Sequence, residues 1–346
     1  VYKRQGGTML SVGDITGSLT RLDITNSGFL LNPGGGATNV THTAGSDTLN
    51  FIQAFGPFAG ESYDNDNGPD NLILWTSSAI TRVWDGSNST DWNDPQNWTT
   101  AIVPADTEDV DIPAAGVTNE PLVSGAITCR NITIATGRTL TIQAGDTLDS
   151  GGSVLNNGTI TFNAASFLMV EGDFDNTNGS ITESTSTLVL DGSSGQSLTS
   201  GGVTASDDFY NITINNSGGI VGLSEDIVFL GDFTISSGTF DAGSADMTVY
   251  QNWSNSGTFT PGTGTVTFDA PSAGPFDIDA GGSAFNHITI NSDNENNVHR
   301  LTSILDINGD LNLSQGTIDA NGNNITLAGN LTINTSFGNF TAGTGT

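Results

Sequence analysis

Apolar and polar residues alternate in short stretches along most of this chain. "NITI" places Ile132 and Ile134 on one face and Asn131 and Thr133 on the other, and the same pattern recurs at 211–214, 287–290 and 324–327. Alternation over four or five residues predicts short, half-buried β-strands. Asn, Gly, Ser and Asp separate these stretches, and such residues adopt turn conformations readily. No stretch has helical periodicity, so the chain is predicted to be all-β.

The predicted strands recur with two periods. The triplet Gly-(Asp/Asn)-(Phe/Leu) begins at Gly172, Gly231, Gly309 and Gly329, with "QNW" at Gln251 as a variant. Positions 231 and 251 are 20 residues apart, as are 309 and 329, whereas 231 and 309 are 78 apart. "FYNITINN" and "FNHITINS" begin 76 residues apart. These spacings predict a coil of about 20 residues and a super-repeat of about 78 residues that contains about four coils.

A coil of about 20 residues is too short to bury its own apolar side. Stacking successive coils buries that side and pairs each strand with its equivalent in the next coil, which predicts a parallel β-helix or β-solenoid. The alternative is a tandem array of β-sandwich modules of about 78 residues. The 20-residue period favours the solenoid, because the strands of a sandwich need not resemble one another.

Three segments follow from these patterns, after a short leader. Residues 6–83 are β-rich but lack the triplet, and we expect a module that is truncated at its N-terminus. Residues 84–112 form a Trp-rich capping segment, and residues 113–346 are the solenoid repeats. The final "SFGNFTAGTGT" matches "NSGTFTPGTGT" at 255–265 and then stops, so we expect the repeats to be truncated at the C-terminus as well.

The leader "VYKRQ" differs in character from the rest of the chain. It contains Lys3 and Arg4, two of only seven basic residues, and the chain has no other lysine. Its codons can be written to match a transposon end used in sequencing libraries. We therefore interpret residues 1–5 as a non-native scar, to be excluded from fold reasoning. On this interpretation the natural protein begins earlier, so the missing signal peptide carries no information about location.

The charge of the chain restricts its partners. Asp and Glu total 37 and the formal net charge is −30, which repels nucleic acids and anionic lipids and favours divalent cations. Nucleic acid is therefore excluded as a partner. No run of about eighteen apolar residues predicts a membrane-spanning segment. Cys129 is the only cysteine, so no intrachain disulfide can form.

A resemblance appears where the repeats begin. Residues 84–98 read W-x-G-x-x-S-x-D-W-x-x-x-x-N-W, followed by "VP" at 103–104, "DVDIP" at 109–113 and then the "NITI" and "GDF" units. This series resembles the large repeat-bearing surface proteins of Bacteroidota that are exported by the type IX route. The resemblance covers about residues 84–346 and implies an adhesin-like β-solenoid that is secreted or attached to the cell surface.

Two clusters are candidate binding sites. In "YDNDNGPDN", Asp64, Asp66 and Asp70 surround Gly68 and could supply several of the six to eight oxygen ligands that calcium takes, although the spacing is not that of an EF-hand. A solvated acidic turn is the alternative. Trp84, Trp92 and Trp98 could form an aromatic platform for sugar rings, or could close the open end of the first coil.

The sequence predicts no catalytic residue. His42, His287 and His299 are scattered, and Arg130, Arg138 and Arg300 do not recur beside an acidic cluster as a polysaccharide lyase would require. Asp207 and Asp208 are adjacent, and neighbours on a strand point to opposite faces. They therefore do not form the spaced pair of carboxylates that glycoside hydrolysis needs.

The expected function is therefore structural or adhesive. The chain would be a non-catalytic segment of a large extracellular protein, acting as a stiff stalk or presenting a face that binds polysaccharide or another cell surface. Calcium is the one cofactor the sequence suggests. The alternative is a carbohydrate-active β-helix enzyme, either a polysaccharide lyase or a glycoside hydrolase.

Overall fold

The computed structural model describes residues 80–342 throughout and, before them, only the backbone of six short strands. These strands are β1 (Leu10–Val12), β2 (Leu22–Ile24), β3 (Phe29–Leu31), β4 (Val40–His42), β5 (Ser62–Tyr63) and β6 (Ile73–Leu74). β1 and β3 pair in parallel, as do β2 and β4, whereas β5 and β6 are antiparallel. The chain divides into one unit at Val1–Ile80 and a second that begins at Thr81.

The second unit is a parallel β-solenoid of about 11 turns with about 21 residues in each turn, as the repeat predicted. Its first strands are β7 (Thr81–Val83), β8 (Asp109–Ile112), β9 (Leu122–Val123), β10 (Ala126–Cys129), β11 (Ile132–Ile134), β12 (Thr139–Ile142), β13 (Thr147–Ser150), β14 (Val154–Asn156), β15 (Thr159–Phe162), β16 (Phe167–Val170), β17 (Phe174–Asp175), β18 (Ser180–Thr182), β19 (Thr187–Leu190) and β20 (Gln196–Thr199). A 3₁₀ turn occupies Pro95–Asn97.

The remaining strands continue the same stack. They are β21 (Asn211–Leu223), β22 (Ile227–Phe229), β23 (Phe233–Asp241), β24 (Met247–Val249), β25 (Trp253–Asn255), β26 (Thr258–Thr260), β27 (Thr265–Phe268), β28 (Phe276–Asp279), β29 (Ala284–Phe285), β30 (His287–Asn291), β31 (Val298–Leu301), β32 (Leu305–Ile307), β33 (Leu311–Asp319), β34 (Ile325–Leu327), β35 (Leu331–Ile333) and β36 (Gly338–Thr341). β21, β23 and β33 are long because each runs around a corner and contributes to two sides of the coil.

Strand pairing gives the coil three sides. Side A stacks β7, β8, β11, β14, β17, β20, the second halves of β21 and β23, and β26, followed by a separate ladder of β29, β32 and β34. Side B stacks β10, β13, β16, β19, the first halves of β21 and β23, β25, β28, β31, the second half of β33 and β36. Side C stacks β9, β12, β15 and β18, then β22, β24, β27, β30, the first half of β33 and β35.

Equivalent apolar side chains lie on top of one another inside the coil. On side B, Leu148, Leu168, Leu188 and Ile212 are register partners in successive turns, and all four are buried. One continuous core runs from Trp84 to Ala320. Because burying one large aliphatic or aromatic side chain contributes about 1.5–3 kcal/mol, each turn is stabilised mainly by its neighbours.

The super-repeat differs from its sequence interpretation in one respect. From β23 to β33 the triplets are 78 residues apart, but the chain passes through eleven sides of the coil, not the twelve that four turns require. The super-repeat is therefore three and two-thirds turns long. As a result, the triplet before the first half of β23 leads into side B, whereas its copy before β33 leads into side C. Residue spacing alone does not reveal this shift, because the corners differ in length.

The structure explains why the triplet recurs. Gly231 lies against the Asn211 side chain, where a methyl group would collide, and Phe233 enters the core. The central residue links successive turns: Asp232 N donates to Asn211 Oδ1 at 2.8 Å, and Asn252 N donates to Asp232 Oδ1 at 3.0 Å. The glycine of the triplet thus allows close approach between turns. The central Asp or Asn forms hydrogen bonds between turns, and the third residue is buried in the core.

Candidate functional site

The Trp trio lies at the beginning of the solenoid. Trp84 and Trp92 are fully buried and Trp98 is 2% exposed. Their ring centroids are 4.9–6.3 Å apart, and Trp98 Nε1 donates to the Trp92 carbonyl oxygen at 2.9 Å. Asp91 forms a parallel bridge with Leu122 of β9, so the segment joins the first strand of side C. Trp84–Trp98 thus form a cap whose indoles belong to the core.

This burial bears on the two interpretations of the trio. A platform for sugar rings needs at least one indole face open to solvent. All three rings are covered, and Trp84 Nε1 is also occupied by a 2.7 Å hydrogen bond to the Asn119 carbonyl oxygen. The geometry therefore favours closure of the first turn over glycan stacking for Trp84, Trp92 and Trp98.

The cap is held by ion pairs close to it. Arg82 donates to both carboxylate oxygens of Glu108, and both residues are buried. This guanidinium lowers the pKa of Glu108 and the carboxylate raises the pKa of Arg82, in each case mainly through their hydrogen bond. One turn further on, Arg130 binds Asp109 through Nε at 2.8 Å and Nη2 at 2.7 Å. These arginines tie the cap to the first turns.

The residues considered for catalysis occupy structural positions. Arg138 pairs with Glu120 at 3.0 Å and Arg300 pairs with Asp277 at 2.8 Å. His287 Nδ1 accepts a hydrogen bond from Asp310 N at 2.8 Å, the same bond between turns that Asn211 makes in the other copy. His299 is buried inside the core.

Two buried groups have strongly shifted pKa values. Burial lowers the pKa of His299 to about 4, and its Nε2 lies 2.9 Å from Ser292 Oγ. Burial, reinforced by Asp149 and Asp109, raises the pKa of Cys129 to about 12, so the thiol stays protonated and unreactive near neutral pH. Neither group is exposed to a substrate.

The most unusual electrostatic feature lies where side C meets side B. Glu183, Asp208, Asp269 and Asp293 follow one another along this corner, together with Tyr210 and Tyr250. We call these six residues the acidic strip. Glu183, Tyr250, Asp269 and Asp293 follow strands of side C, and Asp208 and Tyr210 flank Phe209, which forms a bridge with Phe229 of that side. The solenoid thus brings together carboxylates that are distant in sequence. Tyr210 Oη accepts a hydrogen bond from Gln251 Nε2 at 3.1 Å.

Two carboxylates of the strip, Asp208 and Asp269, have raised pKa values, mainly because they are partly buried and also because other carboxylates lie near them. Partial burial, with the charges of Glu183 and Asp207, raises the pKa of Asp208 to about 6. Partial burial and Asp293 raise the pKa of Asp269 to about 6 as well. None of the four ion pairs between side chains in residues 80–342 includes a carboxylate of the strip. The strip is therefore an uncompensated acidic surface along the rod.

Asp207 and Asp208 have different environments despite being adjacent. Asp207 is buried and accepts a hydrogen bond from Thr204 Oγ1, whereas Asp208 is half-buried and belongs to the strip. The strip could not be predicted from the sequence because its successive carboxylates are separated by 24 to 61 residues. Acidic residues one or more coil lengths apart were the available signal, and it becomes legible only once the sides of the coil are known.

The structure limits two further sequence predictions. Asp64, Asp66 and Asp70, the candidate calcium ligands, lie outside the described residues. Within the described part of the chain, no group of three or more His, Cys, Asp or Glu residues is arranged to hold a metal ion. In the same part of the chain, no helix is long and apolar enough to cross a membrane.

Comparison with known proteins gives one match. A family model described as a domain of unknown function (DUF8693) matches residues 83–191. The match begins at the cap and ends just after β19, so it covers the closed end of the solenoid and the turns next to it. Neither the curated proteins nor the solved structures compared with the chain gave a match.

Proposed function

We propose that this chain is a non-catalytic structural and adhesive segment of a secreted or cell-surface protein. The observation that carries the proposal is the uninterrupted core from Trp84 to Ala320, with backbone pairing on three sides. Strands in neighbouring turns lie about 4.8 Å apart, so eleven turns form a rod about 50 Å long. Such a rod would hold attached modules at a distance and present one surface along its length.

The acidic strip supports an adhesive role for that surface. Carboxylates accept hydrogen bonds from sugar hydroxyl groups, and half-buried tyrosines offer apolar ring area beside them. Carboxylates without cationic partners also attract divalent cations, which can bridge to an acidic polysaccharide. We propose polysaccharide or another cell surface as the partner, with calcium as a cofactor. The extracellular location rests on the resemblance stated above.

The first experiment tests binding and catalysis together. The purified chain is incubated on immobilised polysaccharides with and without calcium, and both retention and released sugar ends are measured. Retention without products is the expected outcome. Asp208→Asn with Asp269→Asn should weaken retention at least several-fold. The matched control, Asp106→Asn with Glu171→Gln, removes the same charge from exposed positions outside the strip and should leave retention unchanged. Equal retention by both variants would refute the role of the strip.

One observation favours the enzymatic alternative. Burial and the charge of Glu183 raise the pKa of Asp208 to about 6, and a carboxyl group with a raised pKa is typical of the general acid in glycoside hydrolases. A carbohydrate-active enzyme is therefore the second candidate function. Release of reducing or unsaturated ends in the same incubation, abolished by Asp208→Asn, would replace the adhesive proposal.

A further inference from the structure

The last turn ends in an apolar surface that no described residue covers. On β35, Leu331 and Ile333 are 52% and 38% exposed, whereas their register partners one turn earlier, Leu311 and Leu313, are buried. On side B, Phe340 is 46% exposed above the buried Ile318. The stacked columns of inward-facing core residues thus continue to the exposed surface of the last described turn. We call Ile325, Leu327, Leu331, Ile333, Phe337 and Phe340 the end face.

The end face also contains unfilled space. An apolar cavity of about 350 Å³ opens among residues of the last two turns, which include Leu311, Ile325, Leu331 and Phe340. Protein interiors are close-packed, and in the other turns the side chains of the following turn occupy this position. A partner that fills this cavity must therefore supply apolar side chains at positions that match the coil.

The strand edges at the end face are not protected. β34, β35 and β36 each pair with only one of the other described strands. Exposed edges are usually guarded by charged residues or proline, which prevent another strand from pairing with them. After Asp319 the sequence contains no Asp, Glu, Lys, Arg, His or Pro. In a chain with a formal charge of −30, the end face is thus free of both charge and edge-blocking residues.

An internal copy shows what covers such a surface. "NSGTFTPGTGT" at 255–265 matches "SFGNFTAGTGT" at 336–346, which places Phe259 opposite Phe340 in the alignment. Phe259 is only 4% exposed, because Phe285 of the following turn lies against it with ring centroids 5.4 Å apart. That following turn consists of β27, β28 and β29. The turn formed by β27, β28 and β29 covers the motif at 255–265. A segment with the apolar pattern of that turn is therefore complementary to the end face, which contains the copy of the motif at 336–346.

We infer that the end face is a docking surface for one further turn of the same repeat. The partner is a segment with the chemistry of residues 265–285, which places Val266, Phe268, Ile278 and Phe285 at inward positions of three short strands. The copies of β27 and β28 pair in parallel with the edges of β34 and β35, as β27 and β28 pair with β24 and β25. The copy of Phe285 packs on Phe340, as Phe285 packs on Phe259, and the apolar side chains fill the cavity. The inference rests on the end face alone and does not depend on a polysaccharide partner.

The test adds this turn to the whole chain. Because Thr346 aligns with Thr265, a copy of residues 266–285 is fused after Thr346, and hydrogen exchange of the β34 and β35 amides is measured by mass spectrometry. We expect exchange in these strands to slow at least tenfold. In the control fusion, serine stands in place of the copies of Val266, Phe268, Ile278 and Phe285, and exchange should match that of the unfused chain. Ile333→Lys, which places a charge in the end face, should abolish the protection in the active fusion.

Two results would overturn the inference. One is unchanged exchange of β34 and β35 in the active fusion while the first turns remain protected, since that shows a folded solenoid whose end face rejects the turn. The other is protection of β34 and β35 in the unfused chain that rises with protein concentration, together with a dimer in sedimentation. That result would assign the end face to a second copy. Polysaccharide retention is scored separately, so the two proposals can fail independently.

Discussion

The first and last described turns of this solenoid share one architecture but differ in how far their apolar side chains are covered. At the first turn, residues 84–98 supply three buried indoles, and Arg82, Arg130 and Arg138 form three of the four described ion pairs. The last turn carries no charge after Asp319 and leaves Leu331 and Phe340 half-exposed. The first turn is covered by a segment that lacks the repeat pattern, whereas the repeat residues of the last described turn leave their inward side chains partly exposed.

The strongest test of this comparison is truncation of one aromatic ring at each end. Trp98→Ala removes a buried indole and should cost about 3–5 kcal/mol of unfolding free energy. Phe340→Ala removes a ring that already contacts water and should cost less than about 1 kcal/mol. Denaturant unfolding of the two variants measures both values. Equal losses would mean that the two ends are equally closed.

The second test breaks an ion pair at the cap. Glu108→Gln leaves Arg82 buried without a counter-charge and should cost about 3 kcal/mol. The matched control, Asp277→Asn, breaks the more exposed pair with Arg300 and should cost less than about 1 kcal/mol. Chemical denaturation at pH 7 compares them. A Glu108→Gln variant as stable as the control would show that the cap does not depend on this pair.

The same pair predicts an acid response at the cap. Arg82 holds the pKa of Glu108 below its ordinary value of 4.5, so the stabilising interaction is fully present above that pH. It is lost as the pH falls through the lowered pKa, because protonation removes the negative charge. The protection factors of the β7 and β8 amides should therefore fall below pH 4.5 relative to those of β35 and β36, whose turn carries no titratable side chain. A uniform fall in protection factors along the rod would contradict this.

The smallest expected effect concerns His299 and Asp269, which lie between the two ends of the solenoid. Their contributions to folding stability change in opposite directions with pH. His299 has a pKa near 4 in the folded chain against an ordinary 6.5, so stability falls as the pH drops across that window. Asp269 has a pKa near 6 against an ordinary 3.8, so its contribution rises as the pH drops from 6 to about 4. Asp269→Asn should therefore raise the Tm slightly at pH 7 and make the loss of stability on acidification steeper than in the unmodified chain.

Thermal melts at pH 7, 5.5 and 4.5 check this prediction. The control is Asp106→Asn, which removes an exposed carboxylate outside the acidic strip and should leave the slope of Tm against pH unchanged. If Asp269→Asn shows the same slope of Tm against pH as the control, the charge of Asp269 does not destabilise the folded chain.

The fold could be predicted from sequence because its two determinants are visible there. Alternation at Ile132 and Ile134 marks an inward face, and a 20-residue period marks one turn. The shift of the super-repeat could not be predicted, because β21 turns a corner within one continuous strand while other corners use separate loops. The number of residues between copies therefore does not count the sides between them.

Some of the candidate functional residues could be recognised in the sequence, whereas others are brought together only by the fold. The Trp trio is conspicuous because its members are close in sequence, but its burial depends on how residues 84–98 lie against β9. Glu183 and Asp208 are far apart in sequence and approach one another only through stacking of the coil. The calcium prediction for Asp64, Asp66 and Asp70 stays a prediction, since those residues lie outside the described part of the chain.

The super-repeat of three and two-thirds turns has a consequence for avidity. Any motif displayed by one super-repeat reappears in the next on an adjacent side, rotated by a third of a turn around the axis. A rod built from such units does not present a flat row of identical contacts to a plane. Only every third super-repeat presents the motif to a given planar surface, so the gain in avidity on a planar target is small. A flexible polymer wound around the rod could instead engage every copy.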